Sequence, residues 1–117
     1  AAFEWAHAHV RVNAVAPGWI ASSGLDTYGE AMAPMIRQLA DSVPMRRLGT
    51  EAEVSAAVCF LLSDAARFVT GACLRVDGGG PLGNAVFPRV ESEPSPSFDG
   101  FHRAVRPTVL EPTKGDE

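Results

Sequence analysis

The sequence is poor in the residues on which several protein classes depend. Its 117 residues include two cysteines, Cys59 and Cys73, one tyrosine, Tyr28, and one lysine, Lys114. Two cysteines without metal-ligand spacing exclude a disulfide-built scaffold and a cysteine zinc site. Set among apolar neighbours, each is expected to be a buried free thiol. Basic residues are scarce: ten Lys and Arg against fourteen Asp and Glu give a net charge of −4, and only Arg46 and Arg47 are adjacent. That balance argues against a nucleic-acid surface or a polybasic membrane anchor. No apolar run reaches the roughly 18 residues that span a bilayer, and the N-terminus lacks the basic-then-apolar pattern of a leader. The expected setting is therefore cytoplasmic, with no membrane and no nucleic-acid partner. His7, His9 and His102 stand in unrelated local contexts without a carboxylate or cysteine cluster, so no metal site is expected. There is no internal repeat.

What is present is an apolar fraction of 46%, ordinary for one globular domain. The opening AAFEWAHA reads as the end of a helix without a capping residue, as in a truncated chain, although loss of an initiator Met would leave the same terminus. Residues 9–15 contain Val10, Val12 and Val15 and stop at Pro17-Gly18, which predicts a buried strand. Residues 19–48 mix Gly24, Gly29, Pro34 and Pro44 with Met35, Leu39 and Val43 at helical spacing. They are read as a lid-like loop carrying one or two short helices. Thr50-Glu51-Ala52-Glu53 is a capping box, with both acids in the positive first turn, so residues 51–63 are a helix. Val54, Ala57, Val58, Leu61 and Leu62 form its apolar stripe. Residues 72–77 are a second strand, ended by Gly78-Gly79-Gly80-Pro81. Strand, helix and strand in this order make a parallel unit. Residues 1–87 thus read as one α/β unit, and 88–117 as a Pro-rich irregular tail. Phe98, Phe101, Val105, Val109 and Leu110 could anchor that tail, and residues 111–117 are expected to be disordered.

Two segments carry possible chemistry. Gly78 to Gly83 satisfies G-x-G-x-x-G after a strand, but a phosphate-binding loop must open a helix whose N–H groups face the ligand. Pro81 removes one such donor and Pro88 stops any helix early, so a strand-ending turn is the better reading. The Pro17-Gly18 turn follows the end of a parallel strand, which is where open α/β sheets bind ligands. It is a candidate site, although turns that merely reverse the chain are common.

RVNAVAPGWI at 11–20, P-x-R-R-x-G-x-x-x-E-V from Pro44 to Val54, then FLLSDAARFVTG and RVDGG occur in order over residues 1–80. Together they resemble the C-terminal third of the short-chain dehydrogenase/reductase family. The resemblance implies an α/β fold, the C-terminal portion of a Rossmann-fold parallel sheet: its last two strands, the crossover helix and the lid. It also implies an oxidoreductase using NAD or NADP on a small-molecule carbonyl, alcohol or enoyl substrate, and a homo-oligomer formed through residues 51–77. Carried over by position, Pro17 and Gly18 line the nicotinamide, Ile20 offers backbone hydrogen bonds to its carboxamide, and Ser22 holds the place of a hydroxyl often supplied by Thr. Trp19 occupies the variable position, either touching substrate or packing under the lid. Tyr28-Gly29, VCFLLSDAARFVTG and the long tail resemble the branch containing peroxisomal trans-2-enoyl-CoA reductase and bacterial terpene alcohol dehydrogenases. A CoA thioester could use Arg46, Arg47, Arg89 or Arg103 for its phosphates.

The family's chemistry needs a tyrosine acid/base with a lysine four residues on, and an ammonium beside a phenol lowers its pKa. Here the residue four after Tyr28 is Met32, and Lys114 is in the tail. No catalytic residue is therefore assigned, and the 117 residues alone are expected to be inactive and poorly stable. Two further readings stay open: a fragment acting only through assembly, and a truncated reading frame without function.

Overall fold

Two short parallel strand pairs and one capped helix organise the chain. The structure, a computed structural model, describes residues 1–83, 91–100 and 107–111. Strand β1 (Ala14–Pro17) pairs in parallel with β4 (Cys73–Val76), Ala14 opposite Cys73 and Pro17 opposite Val76. A second pair joins β2 (Ile20–Ala21) to β3 (Gly49–Thr50), also in parallel. Helix α1 (Ala2–Trp5) opens the chain, α2 (Ala33–Ser42) lies between β2 and β3, and α3 (Glu51–Leu62) follows β3. Short 3-10 turns at Ser23–Tyr28 and Glu30–Met32 precede α2. The expected parallel α/β unit is present.

Helix α3 starts where the capping box predicts. Glu53 N–H donates to the Thr50 hydroxyl at 3.2 Å, and Thr50 N–H donates back to the Glu53 carboxylate at 2.9 Å. These reciprocal bonds satisfy donors that a helix N-terminus otherwise leaves unpaired. At its far end Arg11 donates to the carbonyls of Leu61 at 2.7 Å and Val69 at 3.3 Å, a cation placed where unpaired carbonyls gather.

The first strand differs from expectation: it occupies Ala14–Pro17 rather than 9–15. Residues 10–13 belong to no regular element: Gly71 N–H donates to the Val12 carbonyl at 2.7 Å, and side chains make most of the other bonds. Val12 N–H donates to the Thr70 hydroxyl, Ala72 N–H donates to Asn13 Oδ1, and the Asn13 amide donates to the Val69 carbonyl. Asn13 therefore bridges the 69–72 turn alongside the backbone bond from Gly71 N–H to the Val12 carbonyl. The strand is also not buried: Ala14 and Pro17 are exposed, Val15 and Ala16 half-buried. Among the described residues, one helix packs on a two-stranded sheet, which leaves edges and a face uncovered.

The same geometry corrects two other expectations. Both cysteines are free, as expected, but exposed, Cys59 on α3 and Cys73 at the start of β4. Within the expected stripe of α3, Leu61 is buried, whereas Val58 is exposed and Leu62 is 77% exposed. Ala52 is fully buried instead, and Phe60 is exposed. A helix apolar on nearly every side is built for cover on more than one face.

The core is small and runs from α2 to the end of α3. Ile36 of α2, Val43 and Leu48 are its buried members, joined by Ala52, Leu61 and Ala66. The glycine turn after β4 serves this packing. Gly78 has φ +59, and a Cβ there would meet Val43 Cγ1 at 2.6 Å; Gly79 has φ +82 and lies against Pro44. Both glycines are fixed by left-handed backbone and by the returning chain at 43–45. Gly80–Leu82 is a single 3-10 turn, so G-x-G-x-x-G here ends a strand. The radius of gyration is 17.3 Å, against about 13 Å for a closed domain of this length. No described helix is long and apolar enough to cross a membrane.

Candidate functional site

The C-terminal ends of β1 and β4 lie side by side, and the Pro17-Gly18 turn leaves from them. Gly18 N–H donates to the Val76 carbonyl at 2.9 Å, continuing the ladder by one bond. A Cβ on Gly18 would meet Asp77 Cα and Cβ at 2.8 Å, so only glycine lets the chain turn this close to β4. Asp77 shapes the opposing turn. Its Oδ1 accepts Gly79 N–H at 2.9 Å and its Oδ2 pairs with Arg75 Nε at 3.2 Å. Sequence reasoning assigned Asp77 no role; an Asp directly before Gly-Gly was the available sign of a side-chain-to-backbone turn.

Beyond the turn the chain enters β2, and its register decides which backbone groups face outward. Gly49 N–H donates to the Trp19 carbonyl at 2.9 Å, and Gly49 is paired with Ile20. In a parallel ladder the paired residue then turns its own N–H and C=O to the edge away from its partner. Ile20 thus shows its backbone edge to the side opposite β3, where its carbonyl accepts Ser22 N–H at 3.0 Å. Ser22 is half-buried and precedes the turn Ser23–Tyr28, yet its hydroxyl makes no capping bond to it.

Pro17, Gly18 and Trp19 are exposed and line a cavity of ≈ 550 Å³ with Arg75, Asp77 and Pro81. Trp19 is 54% exposed and also borders a second cavity of ≈ 530 Å³ running past Met45 and Gly78. It stands between two cavities rather than packing beneath the lid. All five sequence-predicted site residues, 17–20 and 22, therefore fall on one continuous turn-and-strand segment at the strand ends. An open face of proline and glycine, an outward backbone edge and a hydroxyl free of capping duty fit a flat amide-bearing ring joined to a phosphate-containing arm.

Arg46 and Arg47 are not available for phosphates. Arg46 pairs with Asp41 at 3.4 Å and Glu91 at 3.7 Å, and Arg47 pairs with Glu53 at 2.6 Å. Arg89 and Arg103 lie outside the described residues, as does His102. His7 donates a ring N–H to the Glu4 carbonyl at 2.7 Å, a local contact. Among the described residues no group of His, Cys, Asp and Glu could hold a metal ion.

A parallel α/β unit with an open turn at its strand ends defines a class of ligand-binding sheet, and comparison with known proteins gives the family. The profile described as Enoyl-(Acyl carrier protein) reductase matches residues 1–80. The chain belongs to the short-chain dehydrogenase/reductase family. It is 45% identical over 78 residues to galactitol 2-dehydrogenase (L-tagatose-forming) of Cereibacter sphaeroides, covering 67% of this chain and 30% of that protein. It is 42% identical over 80 residues to a probable 2,4-dienoyl-CoA reductase of Bacillus subtilis, covering 67% of this chain and 31% of that one. Among solved structures it resembles acetoin dehydrogenase YohF from Salmonella typhimurium, with TM-score 0.57 and 36% identity over 74% of this chain and 30% of that chain. It also resembles YwfH, an NADPH-dependent reductase of bacilysin biosynthesis, with TM-score 0.60 and 30% identity over 68% of this chain and 33% of that chain. The chain thus spans about a third of the length of these relatives.

Proposed function

We propose that this chain contributes the nicotinamide side of a dehydrogenase or reductase active site, as the last two strands, crossover helix and lid of a Rossmann sheet. The observation that carries the reading is the Pro17-Gly18 turn at adjoining parallel strand ends, followed by the outward backbone edge of Ile20. Pro17 and Gly18 would present a flat apolar face to the ring. Ile20 would direct its backbone groups to the carboxamide, and Ser22 would donate its hydroxyl toward the pyrophosphate. A bound NAD or NADP would supply or accept the hydride, the partner being a carbonyl, alcohol or enoyl group of a small molecule. Trp19, exposed between two cavities, is the proposed substrate contact. An enoyl thioester is supported by the 2,4-dienoyl-CoA reductase relative and by the trans-2-enoyl-CoA reductase-like wording of the sequence. It would need phosphate-binding groups other than Arg46 and Arg47.

The reading includes assembly. Val58, Phe60 and Leu62 of α3 and Leu74 of β4 are exposed on the unit spanning residues 51–77, an apolar surface suited to meeting a second copy.

A graft tests the reading. Residues 1–80 replace the matching stretch of galactitol 2-dehydrogenase, whose remaining part carries the rest of the sheet. The graft is expected to fold cooperatively and to oxidise or reduce nicotinamide cofactor with at least one carbonyl, alcohol or enoyl substrate. A folded graft that fails to bind either cofactor would contradict the proposal.

A further inference from the structure

Two described stretches beyond residue 90 fold back, one onto residues 45–53 that follow α2 and one onto α2 and the turn before it, and polar side chains hold both. At the first, Arg47 donates to Ser95 Oγ at 3.0 Å and to the Pro96 carbonyl at 3.1 Å, while Phe98 N–H donates to the Glu53 carboxylate at 3.3 Å. Thr50 adds a hydroxyl bond to the Phe98 carbonyl, and Ser95 N–H donates to the Met45 carbonyl at 3.3 Å. At the second, Asp26 accepts three bonds: from Thr108 N–H at 3.2 Å, the Thr108 hydroxyl at 2.9 Å and Val109 N–H at 3.1 Å. Arg37 of α2 donates to the Val109 carbonyl at 3.0 Å, and Pro107 beside it is fully buried.

The anchors are placed to act on one element. Asp26 precedes α2, Arg37 lies on it, and Arg47 follows it, so the crossings bracket α2 and the turn before it. The 3-10 turn Thr108–Leu110 takes its N-terminal cap from Asp26, a residue more than eighty positions earlier. Asp26 is exposed, so each bond competes with water, but all three converge on one carboxylate and can be undone at a single side chain. The far end of the strap reaches the site region, because Leu110, Leu48 and Ala21 of β2 line one cavity of ≈ 670 Å³.

We infer that residues 107–110, with 95–98 fastened to residues 45–53, form a strap that fixes residues 23–42 of the lid in their present position, with Asp26 as the latch that releases them. This holds whether or not the neighbouring turn binds a cofactor. Hydrogen exchange read by mass spectrometry on the whole chain tests it, with Asp26→Ala and, separately, Thr108→Ala on the strap itself. Amides of residues 23–42 are expected to exchange about tenfold faster in Asp26→Ala, which loses three bonds, and faster by a smaller factor in Thr108→Ala, which loses one, while those of α3 keep their rate, because local opening scales with the interactions that hold a segment down. Faster exchange at 107–111 with residues 23–42 unchanged would show a strap that restrains nothing. No change at either stretch would remove Asp26 as latch. Loss of α3 protection in both variants would show a general scaffold contact and equally overturn the inference. If Asp26→Ala alone unfolds the chain, the Thr108→Ala result decides.

Discussion

Titrated with NADH or NADPH, the 117-residue chain is expected to give no saturable binding up to about 1 mM, an affinity near 4 kcal/mol. It is also expected to give no turnover with carbonyl, alcohol or enoyl substrates. The charged middle of a dinucleotide is held chiefly by a glycine-rich loop and the N-terminus of the helix it opens. The G-x-G-x-x-G spelled by Gly78 to Gly83 cannot do this. Gly78 and Gly79 are packed on Val43 and Pro44, and the following 3-10 turn of Gly80–Leu82 includes Pro81. The ring side offers only the Pro17-Gly18 face, one backbone edge and one hydroxyl. Hydride transfer further needs a positioned acid/base, worth about 10²- to 10⁴-fold. Tyr28 has Met32, not lysine, four residues on. Calorimetry showing micromolar binding, or a spectrophotometric assay showing turnover, would overturn the expectation.

The second large effect is expected at Glu53. Its carboxylate accepts two bonds from Arg47, at 2.8 and 2.6 Å, one from Thr50 N–H at 2.9 Å and one from Phe98 N–H at 3.3 Å. The pair is mostly withdrawn from water, with side-chain exposures of 17% for Arg47 and 19% for Glu53. Glu53→Ala removes half of the capping box and leaves the guanidinium without its carboxylate. By analogy with broken, mostly buried pairs it should cost about 2–4 kcal/mol. That is a large share of the stability of a small domain, about 5 kcal/mol at the low end. The denaturant midpoint should fall accordingly, and strap residues 95–98 should lose protection from exchange.

Acid should reproduce part of this loss. The bond from Arg47 is the main force holding the Glu53 pKa below the ordinary carboxylate value of 4.5, helped by Thr50 N–H and opposed by burial. A folded-state pKa below the unfolded value stabilises fully above the unfolded value and fades as pH falls through the folded one. Wild type and Glu53→Ala should therefore differ by a constant amount above pH 4.5 and converge in stronger acid. Asp26 has the same sign, its pKa lowered first by Val109 N–H, against burial and with help from Thr108. An undiminished difference between wild type and variant at low pH would show that the carboxylate charge is not what Arg47 holds.

The elements written most clearly in the sequence are those fixed by short-range chemistry. Thr50 and Glu53 spell a capping box three residues apart, and the helix begins there with both bonds made. The β-branched run before Pro17-Gly18 announced a strand, but its start moved to Ala14. Thr70 takes the Val12 N–H and Asn13 bonds the facing turn at Val69 and Ala72, side-chain links that periodicity cannot register. Burial was the least legible property. Val58, Leu62, Cys59 and Cys73 read as interior because they are apolar, yet their exposure depends on what lies against α3 and β4. The site residues 17–20 and 22 were legible as one run, since a turn keeps sequence neighbours together. The strap was only half visible. Val109 and Leu110 were named as apolar anchors and are half-buried, whereas the fastening is polar and falls to Asp26, Arg37 and Arg47, distant residues that no local pattern links to the tail. Phe101 and Val105, named with them, lie outside the described residues, as do positions 112–117 of the stretch expected to be disordered.

The segment from Pro17 to Ser22 is proposed to face a nicotinamide dinucleotide, and Ser22→Ala in the folded graft tests that placement. The Ser22 hydroxyl makes no capping bond, so its removal should leave the fold intact. A hydrogen bond to a charged acceptor contributes about 1.5–3 kcal/mol. Cofactor fluorescence titration should therefore show affinity for NADH or NADPH weakened by about tenfold or more, with the unfolding midpoint unchanged. Affinity for both cofactors equal to that of the unsubstituted graft would show that Ser22 does not meet the dinucleotide.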